Sequence, residues 1–271
     1  MFELQKNLSN TEISHIKYEG DKLHPDMVDI PEFLPKKNFS FYIVGRPKSG
    51  KSTLLHHLLC SDGRKIKNKN LHKPKFYYKQ FDKVIIFSPS IKTSSKPFPL
   101  PKKNLYDEYE PELLQDVIEE IQDENQNQNV CMVFDDVIKS LQKKGESAGR
   151  VLHKLLLNRR HIFYNEEDDE DDHISGCSSI ITSQRYNLLP LYIRSSGISH
   201  IMLFKITNQK DLQDVWIETA NELTFPQFKK ICDWVWSEPH SFVFMTLDED
   251  ITKKFHKNFD RIILNEDYLN S

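Results

Sequence analysis

From Asn38 onward, short runs of β-branched and aromatic residues alternate with longer stretches in which apolar residues recur every three or four positions. That order is expected of a parallel sheet with helices on its faces. Strands are predicted at Phe39–Val44, Lys83–Ser88, Asn129–Phe134, Ser178–Ser183 and Ser199–Thr207. Most carry consecutive apolar residues (VIIF, VCMVF, IMLF) instead of strict alternation, as strands buried on both faces do. Helices are predicted at Lys51–Cys60, Pro111–Asp123, Ala148–Asn158, Gln209–Ala220 and Pro226–Trp236. In the last of these Thr224 is the expected cap, with Pro226 in the first turn, where a missing N–H costs nothing. A later strand, Phe242–Leu247, and a terminal helical stretch, Asp250–Lys257, are expected to extend the sheet.

Three segments break this alternation and are expected to be loops: the basic, aromatic stretch Arg64–Lys79, the Pro/Ser/Lys stretch Pro89–Lys103, and the acidic run Glu166–Asp172. The acidic loop 165–173 is expected to stay disordered, because like charges repel and bury nothing. Residues 1–37, with Pro25, Pro31 and Pro35, are expected to be a lead-in segment packed along the outside of one large domain, 38–271.

Composition narrows the class only slightly. The 271 residues include 37 Lys and Arg, 40 Asp and Glu, and 38% hydrophobic residues, within the globular range. No stretch approaches the ~18 apolar residues of a membrane-spanning helix, and the N-terminus lacks the basic-then-apolar pattern of a secretory signal. The expectation is a soluble, intracellular protein without membrane insertion. Cys60, Cys131, Cys177 and Cys232 are widely spaced, which argues against a disulfide framework or a thiolate zinc site. Seven acids are concentrated in the one run, and without them the formal net charge of −3 becomes +4. A mildly basic remainder is compatible with a nucleic-acid partner without announcing one.

The chemistry begins at Gly45-Arg46-Pro47-Lys48-Ser49-Gly50-Lys51-Ser52, an unbroken G-x-x-x-x-G-K-[ST] between the apolar FSFYIV and the helix-forming STLLHHLL. This is a P-loop in its required strand-to-helix context. Glycines let the chain from Gly45 through Pro47, Lys48, Ser49 and Gly50 to Lys51 wrap around phosphates so that its backbone N–H groups, proline's excepted, converge on them, and the helix N-terminus adds partial positive charge. Lys51 supplies a point charge for the β- and γ-phosphates, Ser52 a hydroxyl for Mg²⁺, and Thr53 a contact to the α-phosphate. A carboxylate is needed opposite, and VCMVFDD provides Asp135 for Mg²⁺ at a strand end. Asp136 next to it can polarise the attacking water, or it simply caps the following turn. At the end of the next strand, SSIITSQ, Gln184 faces the γ-phosphate if that strand lies beside the P-loop strand. Arginines able to neutralise developing charge are Arg159 and Arg160, ahead of the acidic run, and Arg194; the helix dipole alone also favours the first pair where it stands.

These residues match a known family pattern. The chain resembles the FtsK/HerA-like genome-packaging ATPases of large eukaryotic DNA viruses (poxvirus-type) and virophages, over most of its length from Phe39. The carriers are GRPKSGKST, the second strand ending in FSPS, the strand with VFDD, the segment ITSQRYNLLPLYIRSSGISHIMLFKITNQKDL and the tail FMTLDEDITKKFHKNFDRII. The resemblance implies a RecA-like core, ATP and Mg²⁺ as cofactors, a homo-oligomeric ring, and double-stranded DNA driven into a preformed capsid. It further implies capsid or portal proteins as partners and a place in the virion and at the host-cell assembly site. Carried over, Lys51 and Ser52 are the phosphate and metal contacts, Asp135 the Mg²⁺ acid, Asp136 the catalytic acid and Gln184 the strand-end glutamine. Arg159 or Arg160 falls where the family has a basic pair, with Arg194 as competitor. The run NEEDDEDDH departs from the short turn expected there.

DNA contacts are sought in Arg64, Lys65, Lys67, Lys69, Lys73, Lys75 and Lys79, interleaved with Phe76, Tyr77 and Tyr78; such charge binds backbone without sequence preference, and a merely solvated loop explains it equally. The alternatives are a GTPase switch, because Asn208-Gln209-Lys210-Asp211 superficially matches N-K-x-D with the lysine one position late, and a small-molecule kinase, which leaves Asp136 and Gln184 without a joint purpose.

Overall fold

The computed structural model describes residues 3–5, 30–64, 75–93, 97–124, 127–138, 146–163 and 175–269. Most of the lead-in segment, Lys65, Lys67, Lys69 and Lys73 of the basic stretch, and the acidic run lie outside them. The strands are β1 (Glu3–Gln5), β2 (Ser40–Val44), β3 (Lys83–Phe87), β4 (Leu105–Tyr106), β5 (Asn129–Asp135), β6 (Gly176–Ser183), β7 (His200–Phe204), β8 (Phe242–Thr246), β9 (Phe255–Lys257) and β10 (Asp260–Ile263). The helices are α1 (Lys51–Cys60), α2 (Pro111–Gln122), α3 (Glu146–Leu157), α4 (Leu191–Gly197), α5 (Gln209–Thr219), α6 (Phe225–Val235) and α7 (Glu266–Leu269). The class is α/β, with helices between strands of a mainly parallel central sheet.

Two compact units divide the chain: the described residues of 1–11, 40–51 and 181–271, and those of 12–39 and 52–180. In the first unit β2 runs parallel to β7, pairing Phe41 with His200 and Val44 with Leu203. Beyond β7 the strands β8, β9, β10 and β1 follow as an antiparallel ladder. All five residues of β2 are buried, which explains the apolar run from Phe41 to Val44, while buried Ser40 exchanges hydrogen bonds with Ser199. Its helices are capped as their sequences specify. Asn208 accepts the N–H groups of Lys210 and Asp211 at the start of α5, and Thr224 and Gln227 form a reciprocal capping box at α6.

In the second unit β3 is parallel to both β5 and β4. Its aromatic core includes Phe87 stacked on Phe134 with centroids 5.4 Å apart. The lead-in residues Ile30 and Leu34 are buried, and the Tyr77 hydroxyl donates to the Pro35 carbonyl at 2.7 Å. Helix α2 buries Leu114, Val117 and Ile121, one stripe at helical spacing. Among the described residues no helix is long and apolar enough to cross a membrane, and all four cysteines are free thiols.

One sequence expectation fails. Asp250–Lys257 is not a helix but a turn followed by β9. Ile251 and Phe255, four apart, imitate one helical turn. However, the Asp250 carboxylate takes the Thr252 N–H and hydroxyl, closing a single turn, and Phe255–Lys257 then join the ladder with β8. Asn258, at φ 56°, begins the two-residue reversal into β10, a conformation that asparagine tolerates well.

The β8–β9 ladder also carries a buried titratable group. His256 is 3% exposed and packs on Phe244. Burial, together with the Arg261 charge, pushes its imidazole down to about 4 from 6.5. Between those values the unfolded chain takes up the proton and the folded chain does not, so stability falls as pH drops below 6.5. The full difference is roughly 3 kcal/mol at 1.36 kcal/mol per pKa unit. Urea midpoints at pH 7 and pH 5 are expected to differ less in His256→Phe than in the wild type; an equal difference would assign the acid sensitivity elsewhere.

Candidate nucleotide site

Strand β2 delivers its chain directly into the loop Gly45–Gly50, which turns on two left-handed residues, Lys48 (φ 66°) and Gly50 (φ 117°). Space as well as backbone conformation demands glycine here. A Cβ on Gly45 would lie 2.5 Å from the Ser49 Oγ and 2.7 Å from the Phe204 Cβ, and one on Gly50 would lie 3.3 Å from the Phe204 ring. The Ser49 N–H donates to the Arg46 carbonyl at 3.1 Å, closing the turn around Pro47. Lys51 is 6% exposed, and its Nζ donates to the Gly45 carbonyl at 2.6 Å and the Arg46 carbonyl at 3.4 Å. The lysine therefore spans the mouth of its own loop. Ser52 and Thr53 follow as exposed residues in the first turn of α1.

The end of β6 is tied to this loop. The Gly45 N–H donates to the Ser183 carbonyl at 3.0 Å, so half-buried Gln184 is the residue immediately after the one bonded to the first P-loop glycine. Beneath it, the Tyr42 hydroxyl is 2.9 Å from the Ser183 Oγ and donates to the Tyr186 carbonyl at 2.8 Å. Burial holds the phenol groups of Tyr42 and Tyr186 far above their usual range, so both remain neutral hydrogen-bonding groups.

Arg185 and Asn187, to which the sequence assigned no role of their own, complete the turn. Arg185 clamps the carboxylate of Asp211 with two bonds, Nε at 3.0 Å and Nη2 at 2.9 Å, and Asn187 donates to the same Asp211 at 3.2 Å. Asp211 is 2% exposed. A guanine-reading role for Asn208 and Asp211 is therefore disfavoured, since the acid is spent on Arg185 and Asn187 and the amide on capping α5. The only sequence signal was position: Arg185 adjoins Gln184.

Arg194 belongs to the same unit but is buried, at 8% exposed. Its Nε and Nη2 bind the Glu218 carboxylate at 2.9 and 2.6 Å, its Nη1 binds the Leu189 carbonyl at 2.6 Å, and its guanidinium lies 4.5 Å from the Tyr186 ring centroid.

The remaining candidates lie in the second unit. Asp135 ends β5 half-buried and accepts a hydrogen bond from the Ser88 Oγ at 2.9 Å, which gives the FSPS strand end a role. Asp136 is exposed and left-handed at φ 54°, a conformation costing on the order of 1 kcal/mol at a non-glycine residue. Arg159 is engaged internally, with Nε donating to the Asn38 carbonyl at 2.7 Å and Nη1 to Leu156 at 2.8 Å. Arg160 beside it is exposed.

For a divalent cation, the hydroxyl of Ser52 and the carboxylate of Asp135 are hard oxygen donors of the kind Mg²⁺ takes alongside phosphate and water. Among the described residues no group of three or more His, Cys, Asp or Glu is placed to hold a metal. A cation that arrives on nucleotide phosphates needs no such cage.

The glycine-turned loop between β2 and α1, on a mainly parallel sheet, defines a P-loop NTPase fold. No family model matches the sequence, and no curated protein matches it either. Solved structures do. The DNA-packaging ATPase B204 from Sulfolobus Turreted Icosahedral Virus aligns over 84% of this chain and 98% of its own at 12% identity and a TM-score of 0.50. The genome packaging NTPase B204 from Sulfolobus turreted icosahedral virus 2, in complex with AMP, aligns over 83% and 98% at 16% identity and 0.46. The pCW3 conjugation coupling protein TcpA aligns over 85% of this chain and 62% of its own at 13% identity and 0.46. At such identities the likeness to the first of these concerns the fold.

Proposed function

We propose that this chain hydrolyses ATP to ADP and phosphate and uses the free energy to drive double-stranded viral DNA into a preformed capsid. The observation that carries the hydrolytic part is the 3.0 Å bond from the Gly45 N–H to the Ser183 carbonyl, because it sets Gln184 beside the phosphate-binding loop. The packaging part draws on the shared fold with a viral DNA-packaging ATPase and on the residue pattern around SQR and VFDD.

In this reading the loop amides and Lys51 bind and orient the phosphates. Ser52 and Asp135 hold Mg²⁺, which when bound neutralises developing phosphate charge. Asp136 accepts the proton of the attacking water, and Gln184 orients that water against the γ-phosphate. Arg160, exposed while Arg159 is internally bonded, is the better-placed member of the pair to reach a neighbouring subunit in a ring; Arg194 is reserved for the interior. Arg64, Lys75 and Lys79 offer phosphate-backbone contacts. The ring would dock on capsid or portal proteins at the virus assembly site, with 38–271 as its ATPase domain.

Purified protein is expected to hydrolyse ATP in preference to GTP, with Lys51→Ala reducing turnover at least about 100-fold through loss of phosphate stabilisation. Equal turnover in wild type and Lys51→Ala would remove the P-loop from the account, and a strict preference for GTP would restore the switch.

A further inference from the structure

The loop between α6 and β8 reaches the phosphate-binding loop through a residue that the sequence reading passed over. The Trp236 indole N–H binds the Leu203 carbonyl at 3.0 Å, anchoring the loop's start. Glu238 pairs with the Lys257 ammonium at 2.5 Å, and the Ser241 N–H returns to the Glu238 carbonyl at 3.3 Å. His240 is thereby held in the left-handed region, φ 63°, with its Nδ1 3.0 Å from the Ser49 carbonyl oxygen.

A carbonyl oxygen can only accept, so Nδ1 carries the proton and donates. In a trans peptide the C=O and the following N–H point in opposite directions, and no described peptide is cis. Holding the Ser49 carbonyl toward His240 therefore turns the Gly50 N–H away from that side chain, and N–H groups of a glycine-rich loop before a helix are the donors that phosphate oxygens take. The Phe204 ring packs against the same glycine. Lys51 secures the opposite end of the loop through the Gly45 carbonyl.

We propose that His240 is a positioning residue of the nucleotide site, which sets the direction of the Gly50 amide through the Ser49 carbonyl. The inference rests on the P-loop binding phosphate, as in the proposed function. Two substitutions separate donor from backbone. His240→Asn and His240→Gly both accept φ 63° readily, but only the Asn amide can place an N–H donor where Nδ1 now lies. The measurements are the Kd of an N-methylanthraniloyl-labelled ADP and the hydrogen exchange of 45–51 in nucleotide-free protein. His240→Gly is expected to weaken binding about three- to tenfold, the worth of one ordinary hydrogen bond, and to speed exchange in that segment. His240→Asn is expected to recover most of both. If wild type binds and the two variants match it or are equally impaired, the positioning role falls while the nucleotide site stands. If wild type binds no labelled ADP, the proposed nucleotide site and the inference fall together.

Discussion

Asp136→Asn is expected to lower ATP turnover by about 100- to 10,000-fold, the usual contribution of a positioned general base, while nucleotide binding stays within about twofold. The expectation follows from where the residue stands. It comes directly after Asp135 at the end of β5, exposed, on a backbone at φ 54°. Asparagine is nearly isosteric and takes the left-handed conformation at least as easily, so the substitution removes a charge and a proton acceptor without disturbing the turn. The loss corresponds to about 3 to 5 kcal/mol of barrier at 1.36 kcal/mol per tenfold. Single-turnover kinetics alongside equilibrium nucleotide binding separates the two effects. Turnover within about twofold of wild type would make Asp136 a turn residue and nothing more.

Arg194→Ala is expected to act on folding instead, lowering stability by about 1.5–3 kcal/mol, the worth of hydrogen bonds to a charged group whose partner carboxylate keeps contact with water. The guanidinium is 8% exposed and fully engaged by Glu218, Leu189 and the Tyr186 ring. Its removal leaves the Glu218 carboxylate with only the Tyr186 hydroxyl as a donor, at 2.8 Å, takes the Nη1 donor from the Leu189 carbonyl and opens a void against the Tyr186 ring. Arg194→Lys restores charge but not the planar fork, so it should recover only part of the loss. Urea unfolding of Arg194→Ala, Glu218→Gln and the double variant is the check, with the double variant less destabilised than the sum of the singles. A stable Arg194→Ala protein with impaired hydrolysis would instead make this arginine the one that serves the transition state.

Strands buried on both faces announce themselves, and the runs VIIF, VCMVF and IMLF became β3, β5 and β7 with ends shifted by a few residues at most. Asp250–Lys257 misled because one i, i+4 pair of apolar residues satisfies a helical pattern, whereas β9 exists only through its partner β8. β1 was invisible for the same reason, being three residues defined by pairing with β10. The site shows the same division. The P-loop and the paired aspartates are contiguous in sequence, so chemistry and spacing expose them together. The Arg185–Asp211 clamp and the contact from His240 to Ser49 join residues 26 and 191 positions apart. Arg185 and Asp211 stand in the family-like segment with no pairing signalled by it, His240 stands in no motif, and each contact arises only once strand pairing has placed β7 beside β2 and β8 beside β7.

Directional movement on DNA is the core of the account, and displacement of a triplex-forming oligonucleotide from a long duplex measures it directly. With ATP, the wild-type protein is expected to release the oligonucleotide from linear double-stranded DNA, while Asp136→Asn with ATP and wild type without nucleotide leave it in place. Release that is independent of ATP, or ATP turnover with no displacement on any duplex, would contradict a DNA-translocating motor.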